Sequence, residues 1–344
     1  MKSLFLMGAV LACGLVSVAA PLSLEWSEGP QPLQAQAGAA VGLIGDTMVV
    51  AGGTHWPTVE FKRYFAWTQL YDLGTGTWSM GPDLPRDLAY AAFCSYGGKF
   101  YLFGGCGPDR MPTAEGFVFS RTGREGDGSS ELAWSPGTPL PEPLVFPMGD
   151  RIGSTFYVLA GGRDYDLKSI SNDLYAIDLS AAQGTWKRLA PLPGAPTAYP
   201  GFAACGGKLY AFGGYRTDQD PPYNVRDAYC YDPTQDKWTP IRHIPFSCRC
   251  VTAMAYDERH ILLFGPYIAS ASDVEWHGHD YGVSGAAILY DTQLDTYTPL
   301  EPMPRALTTI SFVRKGDTLY GVGGELLYKI RSPYLFIAKV KRTR

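Results

Sequence analysis

The feature of this sequence that most constrains its fold is an internal repeat. An apolar stretch that ends in a glycine pair occurs at 48–53 and again at 100–105. Four later copies end at 161–162, 213–214, 265–266 and 323–324, with Pro266 replacing the second glycine in one of them. The first glycines are spaced by 52, 57, 52, 52 and 58 residues. A period near 50 residues indicates one structural unit per repeat, which buries its faces against its neighbours.

A second landmark in the repeat is an aromatic strand followed by a tryptophan. Trp78, Trp186 and Trp238 come six or eight residues after the aspartate that ends such a strand. Trp134 stands at this place in the second unit, and Tyr297 stands there in the fifth. This pattern is the kelch repeat, in which four strands form one blade of a propeller. We therefore predict an all-β, six-bladed kelch-type β-propeller.

The sixth unit lacks its last strand, which indicates how the ring closes. After the final glycine pair the sequence holds one more strand, from Leu335 to Val340, and no tryptophan follows it. Trp26 lies one period, 52 residues, before Trp78. We expect the N-terminal strand around Trp26 to complete the last blade, because this pairing removes an exposed sheet edge.

The first twenty residues are typical of an export signal. Lys2 precedes an almost wholly apolar stretch from Leu4 to Val18, and the small residues that follow suit a signal peptidase. The sequence thus predicts a signal peptide at 1–20, one propeller domain at 21–344, and a periplasmic or secreted protein. Lipidation of Cys13 is the alternative processing route. No other segment predicts a transmembrane helix.

Charge and cysteine content narrow the function further. Charged residues are 18% of the chain and the formal net charge is −4, which argues against a nucleic-acid partner or a polybasic membrane surface. Cleavage after residue 20 leaves six cysteines, a small even number for this length. We expect buried or individually paired cysteines rather than a disulfide framework. Cys248 and Cys250 lack the second pair that a zinc site needs.

Loops on one face of a propeller usually carry its function. The loops after the glycine pairs and the connections between blades combine aromatic and arginine side chains, which suit sugar rings and carboxylates. His277 and His279 form a lone His-x-His pair, which is weak evidence for a metal, so we predict neither metal nor cofactor. The predicted substrate-binding residues are His55, Trp56, Arg86, Arg163, Arg216 and Arg305.

One local motif connects these loops to a known family. Glu325 is the only acidic residue directly after a glycine pair, and Arg331 follows it by six residues. The repeats resemble those of bacterial kelch-propeller sialic-acid mutarotases, also called N-acetylneuraminate epimerases, which have a Gly-Glu pair and an arginine at this spacing. The resemblance implies a general-base role for Glu325 and a substrate-carboxylate anchor in Arg331. It also implies a cofactor-free isomerase that opens and recloses the ring of sialic acid or a related sugar.

Two other functions fit the same repeats. A non-catalytic module that binds glycans or a protein partner would share every fold feature. A copper radical oxidase of the galactose oxidase type also uses kelch repeats, but it needs two histidine ligands and a cross-linked tyrosine–cysteine pair. Only His277 and His279 cluster among the five histidines. The sequence favours an exported sugar-acting propeller whose partner is a small-molecule sugar.

Overall fold

The computed structural model of the protein describes residues 20–122, 131–181, 184–268 and 282–343. Within these residues, five four-stranded antiparallel sheets and four strands of a six-stranded one form the six blades of a β-propeller. The prediction of a six-bladed all-β propeller is therefore confirmed. No helix in the described ranges is both long and apolar enough to cross a membrane. The signal peptide, including Cys13, lies outside the described residues except for Ala20, and it stays a prediction.

Five blades follow one another along the chain, each running from its innermost to its outermost strand. Blade 1 contains β2 (Ala40–Ile44), β3 (Thr47–Ala51), β6 (Thr68–Asp72) and β7 (Thr77–Met80). Blade 2 contains β8 (Ala92–Tyr96), β9 (Lys99–Phe103), β10 (Gly116–Thr122) and β11 (Glu131–Gly137). Blade 3 contains β12 (Met148–Ile152), β13 (Thr155–Gly162), β14 (Ile170–Asp178) and β15 (Lys187–Leu189). Blade 4 contains β16 (Gly201–Cys205), β17 (Lys208–Arg216), β18 (Tyr223–Asp232) and β19 (Lys237–Pro240). Blade 5 contains β21 (Thr252–Ala255), β22 (His260–Phe264), β24 (Ala287–Asp291) and β25 (Thr296–Pro299).

Blade 6 joins the two ends of the described chain. Its strands are β26 (Ser311–Lys315), β27 (Thr318–Val322), β30 (Leu335–Arg342) and, outermost, β1 (Leu22–Glu28). β1 pairs with β30 antiparallel over its whole length, with Trp26 opposite Ala338. The predicted closure of the last blade by the N-terminal strand is therefore confirmed.

Three short pairings extend the blades at the ends of their second strands. β4 (Thr54–His55) pairs with β5 (Arg63–Tyr64), and β28 (Glu325–Leu327) pairs with β29 (Ile330–Arg331). In blade 4, β20 (Cys248–Arg249) joins β18 to β23 (Tyr267–Ile268). These pairings hold the loops on this face in place, because their backbone groups bond to the propeller instead of water.

The outer aromatic residues bind each blade to the one before it. The indole nitrogens of Trp78 and Trp238 donate to the carbonyls of Pro30 and Ala190, both at 2.9 Å. Each acceptor lies just after the outermost strand of the preceding blade. The hydroxyl of Tyr297 donates in the same way to the carbonyl of Arg242 at 2.8 Å. This shared contact explains why a tyrosine can replace the tryptophan in the fifth unit.

The glycine pairs are required where neighbouring blades meet. Gly52 has a φ of +69°, and a Cβ atom there would lie 2.2 Å from the carbonyl oxygen of Leu88 in the connection to the next blade. The amide of Gly53 donates to that same carbonyl at 2.7 Å. Only glycine combines this conformation with so close an approach.

The cysteines are mostly buried, as the sequence predicts. Cys94, Cys106, Cys205 and Cys230 are buried free thiols, and Cys250 is a half-buried one. Burial raises the pKa of Cys106 to about 11 and that of Cys205 to about 12. These thiols are therefore protonated at neutral pH and pack as small apolar groups.

Candidate functional site at the mouth of the channel

The innermost strands of the six blades contact one another around the central channel. Two residues before each of these strands, the chain takes a left-handed conformation with φ between 54° and 66°. Such a φ is rare outside glycine, and its recurrence in every blade shows that the propeller imposes it. We call these six residues the mouth ring. They are Gly38, Tyr90, Phe146, Tyr199, Cys250 and Thr309.

Backbone hydrogen bonds link members of the mouth ring from blade to blade. The amide of Tyr90 donates to the carbonyl of Gly38 at 2.8 Å, and the amide of Phe146 donates to that of Tyr90 at 3.1 Å. On the other side, the amide of Cys250 donates to the carbonyl of Tyr199 at 3.0 Å. These bonds fix where each side chain leaves the backbone at the channel mouth.

Three neighbouring members of the mouth ring are aromatic. The ring of Phe146 lies 4.7 Å from that of Tyr90 and 4.9 Å from that of Tyr199, centroid to centroid. Tyr165, in the loop between β13 and β14, adds a fourth ring 5.4 Å from Phe146. We call these four residues the aromatic arc. Their carbon-rich faces can pack against an apolar ligand surface.

Gly38 is what makes room for the first aromatic residue. A Cβ atom on Gly38 would lie 2.2 Å from Cε1 of Tyr90. The absence of a side chain in blade 1 therefore lets the Tyr90 ring cover this position. Tyr90 consequently reaches residues of blade 1 as well as those of blade 3.

On the side of blade 6, the mouth carries charged and polar residues. Glu325 and Thr308 exchange two backbone hydrogen bonds of 2.9 and 3.1 Å, which places Glu325 beside the ring member Thr309. Arg331 pairs with Glu325 in the β28–β29 hairpin, and its guanidinium forms an ion pair with the Glu325 carboxylate. Only 2% of the Arg331 side chain is exposed, against 27% for Glu325.

Thr54 connects this ion pair to the aromatic side. The guanidinium of Arg331 donates to the Thr54 carbonyl at 3.3 Å and to its hydroxyl at 3.2 Å. The Thr54 hydroxyl lies 3.2 Å from the hydroxyl of Tyr90. We call Glu325, Arg331, Thr54 and Thr309 the polar arc. The two arcs meet at Tyr90.

Lys62 lies at this junction. Its ammonium group donates to the hydroxyl of Tyr90 at 2.5 Å and to that of Tyr165 at 2.8 Å. It also lies 5.2 Å from the ring centroid of Tyr64 and 5.8 Å from that of Trp56. Burial lowers the pKa of Lys62 from its ordinary value. The site therefore holds an ammonium group inside a cage of aromatic rings.

The structure brings together four of the residues predicted from sequence. Glu325 and Arg331 form the ion pair, and Trp56 covers the lysine cage. His55 lies close to them, with its Nδ1 atom 3.0 Å from the carbonyl of Ala35. Burial lowers the pKa of His55, and the positive charge of Arg331 lowers it further.

The four other predicted arginines each form an ion pair elsewhere. The nitrogen-to-oxygen distances in these pairs are 2.7 to 3.6 Å. The pairs are Arg86–Glu115, Arg163–Glu142, Arg216–Asp227 and Arg305–Glu28. None of these four pairs includes Glu325 or Arg331. Substrate binding by these arginines stays a prediction that their contacts in this structure do not support.

Sequence reasoning missed Lys62, Thr54 and the members of the aromatic arc. Position in the repeat was the one signal that could have revealed the mouth ring, because its residues recur at about the repeat period. Their residue types differ in almost every blade. His277 and His279 lie outside the described residues. In the part of the chain that is described, no group of three or more His, Cys, Asp or Glu side chains is arranged to hold a metal.

Comparison with known proteins agrees with this architecture. A family model described as the kelch motif matches residues 37–85, which contain the whole of blade 1. Kelch-like protein 25 of Xenopus tropicalis is 25% identical over 65% of this chain and 35% of its own length. Together with the six blades, these matches define the chain as a kelch-repeat β-propeller.

A more specific similarity covers the middle of the chain. The family model described as N-acetylneuraminate epimerase matches residues 138–274, so the protein is a kelch propeller with an epimerase-like segment. The N-acetylneuraminate epimerase of Brucella suis is 31% identical over 44% of this chain. The matched region spans 40% of that protein's length.

A third relative matches almost from end to end. The N-(sulfonatooxy)prop-2-enimidothioate sulfolyase of Thlaspi arvense is 25% identical over 94% of this chain and 99% of its own length. Proteins with different activities thus share this repeat architecture, and the fold alone does not give the reaction.

Proposed function

We propose that this protein interconverts the anomers of an acidic sugar of the sialic-acid type, with Glu325 as its acid–base residue. The observation that carries the proposal is the Glu325–Arg331 ion pair at the channel mouth. The Glu325 carboxylate is partly exposed, and a buried guanidinium holds it in place. A fixed carboxylate beside an aromatic wall is the arrangement that such a reaction needs.

The reaction requires one proton to be moved between two oxygens of the sugar. Glu325 removes the proton from the anomeric hydroxyl, the bond between the anomeric carbon and the ring oxygen breaks, and the ring oxygen receives the proton from Glu325. The anomeric carbon becomes a ketone, rotates, and is attacked on its other face as the proton transfers reverse. A positioned acid–base group contributes about 10²–10⁴-fold to such a step.

Arg331 has a different role in this proposal from the one the sequence suggested. Its guanidinium is buried and already donates to Glu325 and Thr54. It therefore acts as a positioning residue, which orients the Glu325 carboxylate by a charge-assisted hydrogen bond. The substrate carboxylate needs another partner.

The epimerase-like segment supports the sugar-binding side of the proposal. Residues 138–274 include Phe146, Tyr165 and Tyr199, three of the four members of the aromatic arc. Glu325 and Arg331 lie outside this segment, so their assignment rests on the geometry of the mouth and on the Gly-Glu motif. We also propose that the protein is exported to the periplasm or secreted, and that it encounters its sugar substrate there.

Proton NMR of freshly dissolved N-acetylneuraminate tests this function directly. We expect the mature protein to accelerate exchange between the two anomers, and Glu325→Gln to reduce the acceleration at least about 100-fold. Glu25→Gln is the matched control, because Glu25 lies in blade 6 but pairs with Lys341 on the exposed outer strand. Binding without acceleration by the wild-type protein would favour a non-catalytic sugar-binding module instead.

The full-length match to the sulfolyase supports a second candidate function. Unlike the epimerase match, it spans 94% of the chain and so includes blade 1 and at least part of blade 6. This candidate is a lyase that releases sulfate from an N-sulfonatooxy imidothioate. Sulfate release from N-(sulfonatooxy)prop-2-enimidothioate, with no effect on anomer exchange, would replace the first proposal by this one.

A further inference from the structure

Lys62 is a half-buried cation without a matching anion in the described structure. Its recorded polar partners are the neutral hydroxyls of Tyr90 and Tyr165, and its other neighbours are aromatic faces. Among the residues that the structure describes, no carboxylate lies within ion-pair distance of Lys62. Buried charges in proteins are normally paired, because removing an ion from water is costly.

The surrounding charges do not supply the missing partner. Arg331 is a buried cation nearby, and its ion pair uses the Glu325 carboxylate. Within the two arcs and the aromatic cage, one carboxylate therefore faces two cations. The local charge balance is completed if a ligand brings a negative charge of its own.

We infer that Lys62 is the residue that receives the anionic group of the ligand, while the aromatic arc packs against its carbon-rich face. This inference rests on the proposed function, in which the ligand is an acidic sugar. Tyr90 and Tyr165 hold the ammonium group by two hydrogen bonds, so its remaining N–H can donate to a carboxylate oxygen. Lys62 is then a specificity-determining residue for the acid over its neutral derivatives.

The charges around Lys62 also indicate from which side the anion binds. A groove of about 360 Å³ borders Lys62 on the side of Asp83 and Asp87. Those two carboxylates offset the charges of Lys62 and of Arg63, which also lines the groove, so no net positive charge is available to an anion there. The hydroxyls of Tyr90 and Tyr165 lie toward the channel mouth, so we place the ligand's anionic group on that side.

Binding measurements with ligands that cannot mutarotate test this inference separately from catalysis. The probes are the methyl glycoside of N-acetylneuraminate and the methyl ester of the same glycoside, measured by titration calorimetry at neutral pH. They differ by esterification of the carboxylate, which removes its charge and adds one methyl group. We expect the wild-type protein to prefer the acid by about 10- to 100-fold, the range for one charge-assisted hydrogen bond.

Three variants identify the source of that preference. Lys62→Met keeps most of the length of the side chain without its charge and should reduce the preference for the acid to less than about threefold. Lys62→Arg keeps the charge and should retain part of it. Lys168→Met is the matched control, because Lys168 lies in the β13–β14 loop with 83% of its side chain exposed and should leave the preference unchanged.

The possible outcomes separate the two proposals. Equal binding of acid and ester by the wild-type protein would overturn the role of Lys62, even if anomer exchange is accelerated. An acid preference that survives in Lys62→Met would also overturn it. Failure of the wild-type protein to bind either glycoside would overturn the inference about Lys62, and the anomer-exchange measurement would then decide the proposed function on its own. Thermal unfolding of each variant checks that the propeller is intact, and Lys62→Arg remains informative if Lys62→Met does not fold.

Discussion

The two halves of the channel mouth are built on different principles. The aromatic arc consists of rings that contact each other across blades 2, 3 and 4, and Tyr90, Phe146 and Tyr165 each have more than one ring neighbour. The side chains of Glu325, Arg331 and Thr54 in the polar arc are joined by single hydrogen bonds and one ion pair, in which each partner is specific. Loss of one ring should therefore be tolerated better than loss of one charge, because packing is distributed and a buried ion pair is not.

Removal of the buried cation should have the largest effect on stability. Arg331→Met leaves the Glu325 carboxylate without its guanidinium donor, whereas the Thr54 carbonyl keeps the amide of Ala37 as a donor. We expect the free energy of unfolding to fall by about 3–5 kcal/mol, the range for breaking a buried ion pair. Arg305→Met is the control, since the Arg305–Glu28 pair is exposed and should contribute less than about 1 kcal/mol. If urea unfolding showed the same loss of unfolding free energy in both variants, the special sensitivity of the polar arc to loss of a charge would be contradicted.

The junction between the arcs should be the next most sensitive place. Gly38→Ala forces a Cβ atom into the Tyr90 ring and also strains the backbone, so we expect a loss of about 2–4 kcal/mol. Gly45→Ala isolates the strain alone, because Gly45 has a φ of +62° and no neighbour within 4 Å of the new atom. The difference between the two denaturation midpoints measures the Tyr90 contact, and no difference would show that the ring moves aside freely.

A change within the aromatic arc should weaken ligand binding moderately and without regard to charge. Phe146→Leu removes the central ring of the arc but keeps an apolar side chain. We expect about 3- to 10-fold weaker binding of the sialic-acid methyl glycoside and of its methyl ester alike, as calorimetry would show. If Phe146→Leu weakened the binding of the acid but not that of the ester, the separate roles proposed for Phe146 and Lys62 would be contradicted.

The smallest expected effect is a loss of stability at acid pH that comes from His55, which lies at the edge of the polar arc. Burial lowers the pKa of His55 below its ordinary value of 6.5, so the unfolded chain binds the proton more readily than the folded one. The stability contributed by neutral His55 is complete above pH 6.5 and decreases as the pH falls toward the lowered pKa. Denaturant midpoints of wild type and His55→Gln between pH 8 and 5 should diverge in this direction. Parallel curves would contradict it.

The propeller could be predicted from sequence because its signals repeat. The glycine pairs and outer tryptophans recur at a nearly fixed period, and each copy strengthens the interpretation of the others. Even the closing strand was predictable, since Trp26 stands one period before Trp78. These residues repeat because every blade faces the same packing problem.

The site could be predicted only in part, because it breaks the symmetry of the repeat. Glu325 and Arg331 were found through a local motif with fixed spacing. Lys62 was not, because its importance depends on Tyr90 and Tyr165, which lie 28 and 103 residues away in the sequence. The four paired arginines stay predicted substrate-binding residues, and the carboxylates that bind them cannot be recognised before the chain is folded.

The polar arc crosses the seam at which the ring closes. Thr54 belongs to the connection inside blade 1, whereas Arg331 belongs to blade 6, and the hydrogen bonds between them join residues 277 positions apart. A contact of such long range forms only after the intervening blades have been brought into order. The site should therefore be among the last parts of the molecule to assemble. Its activity would then report that the ring of blades has closed. A propeller whose sixth blade has not yet been completed by β1 would have all the required residues and no functioning site.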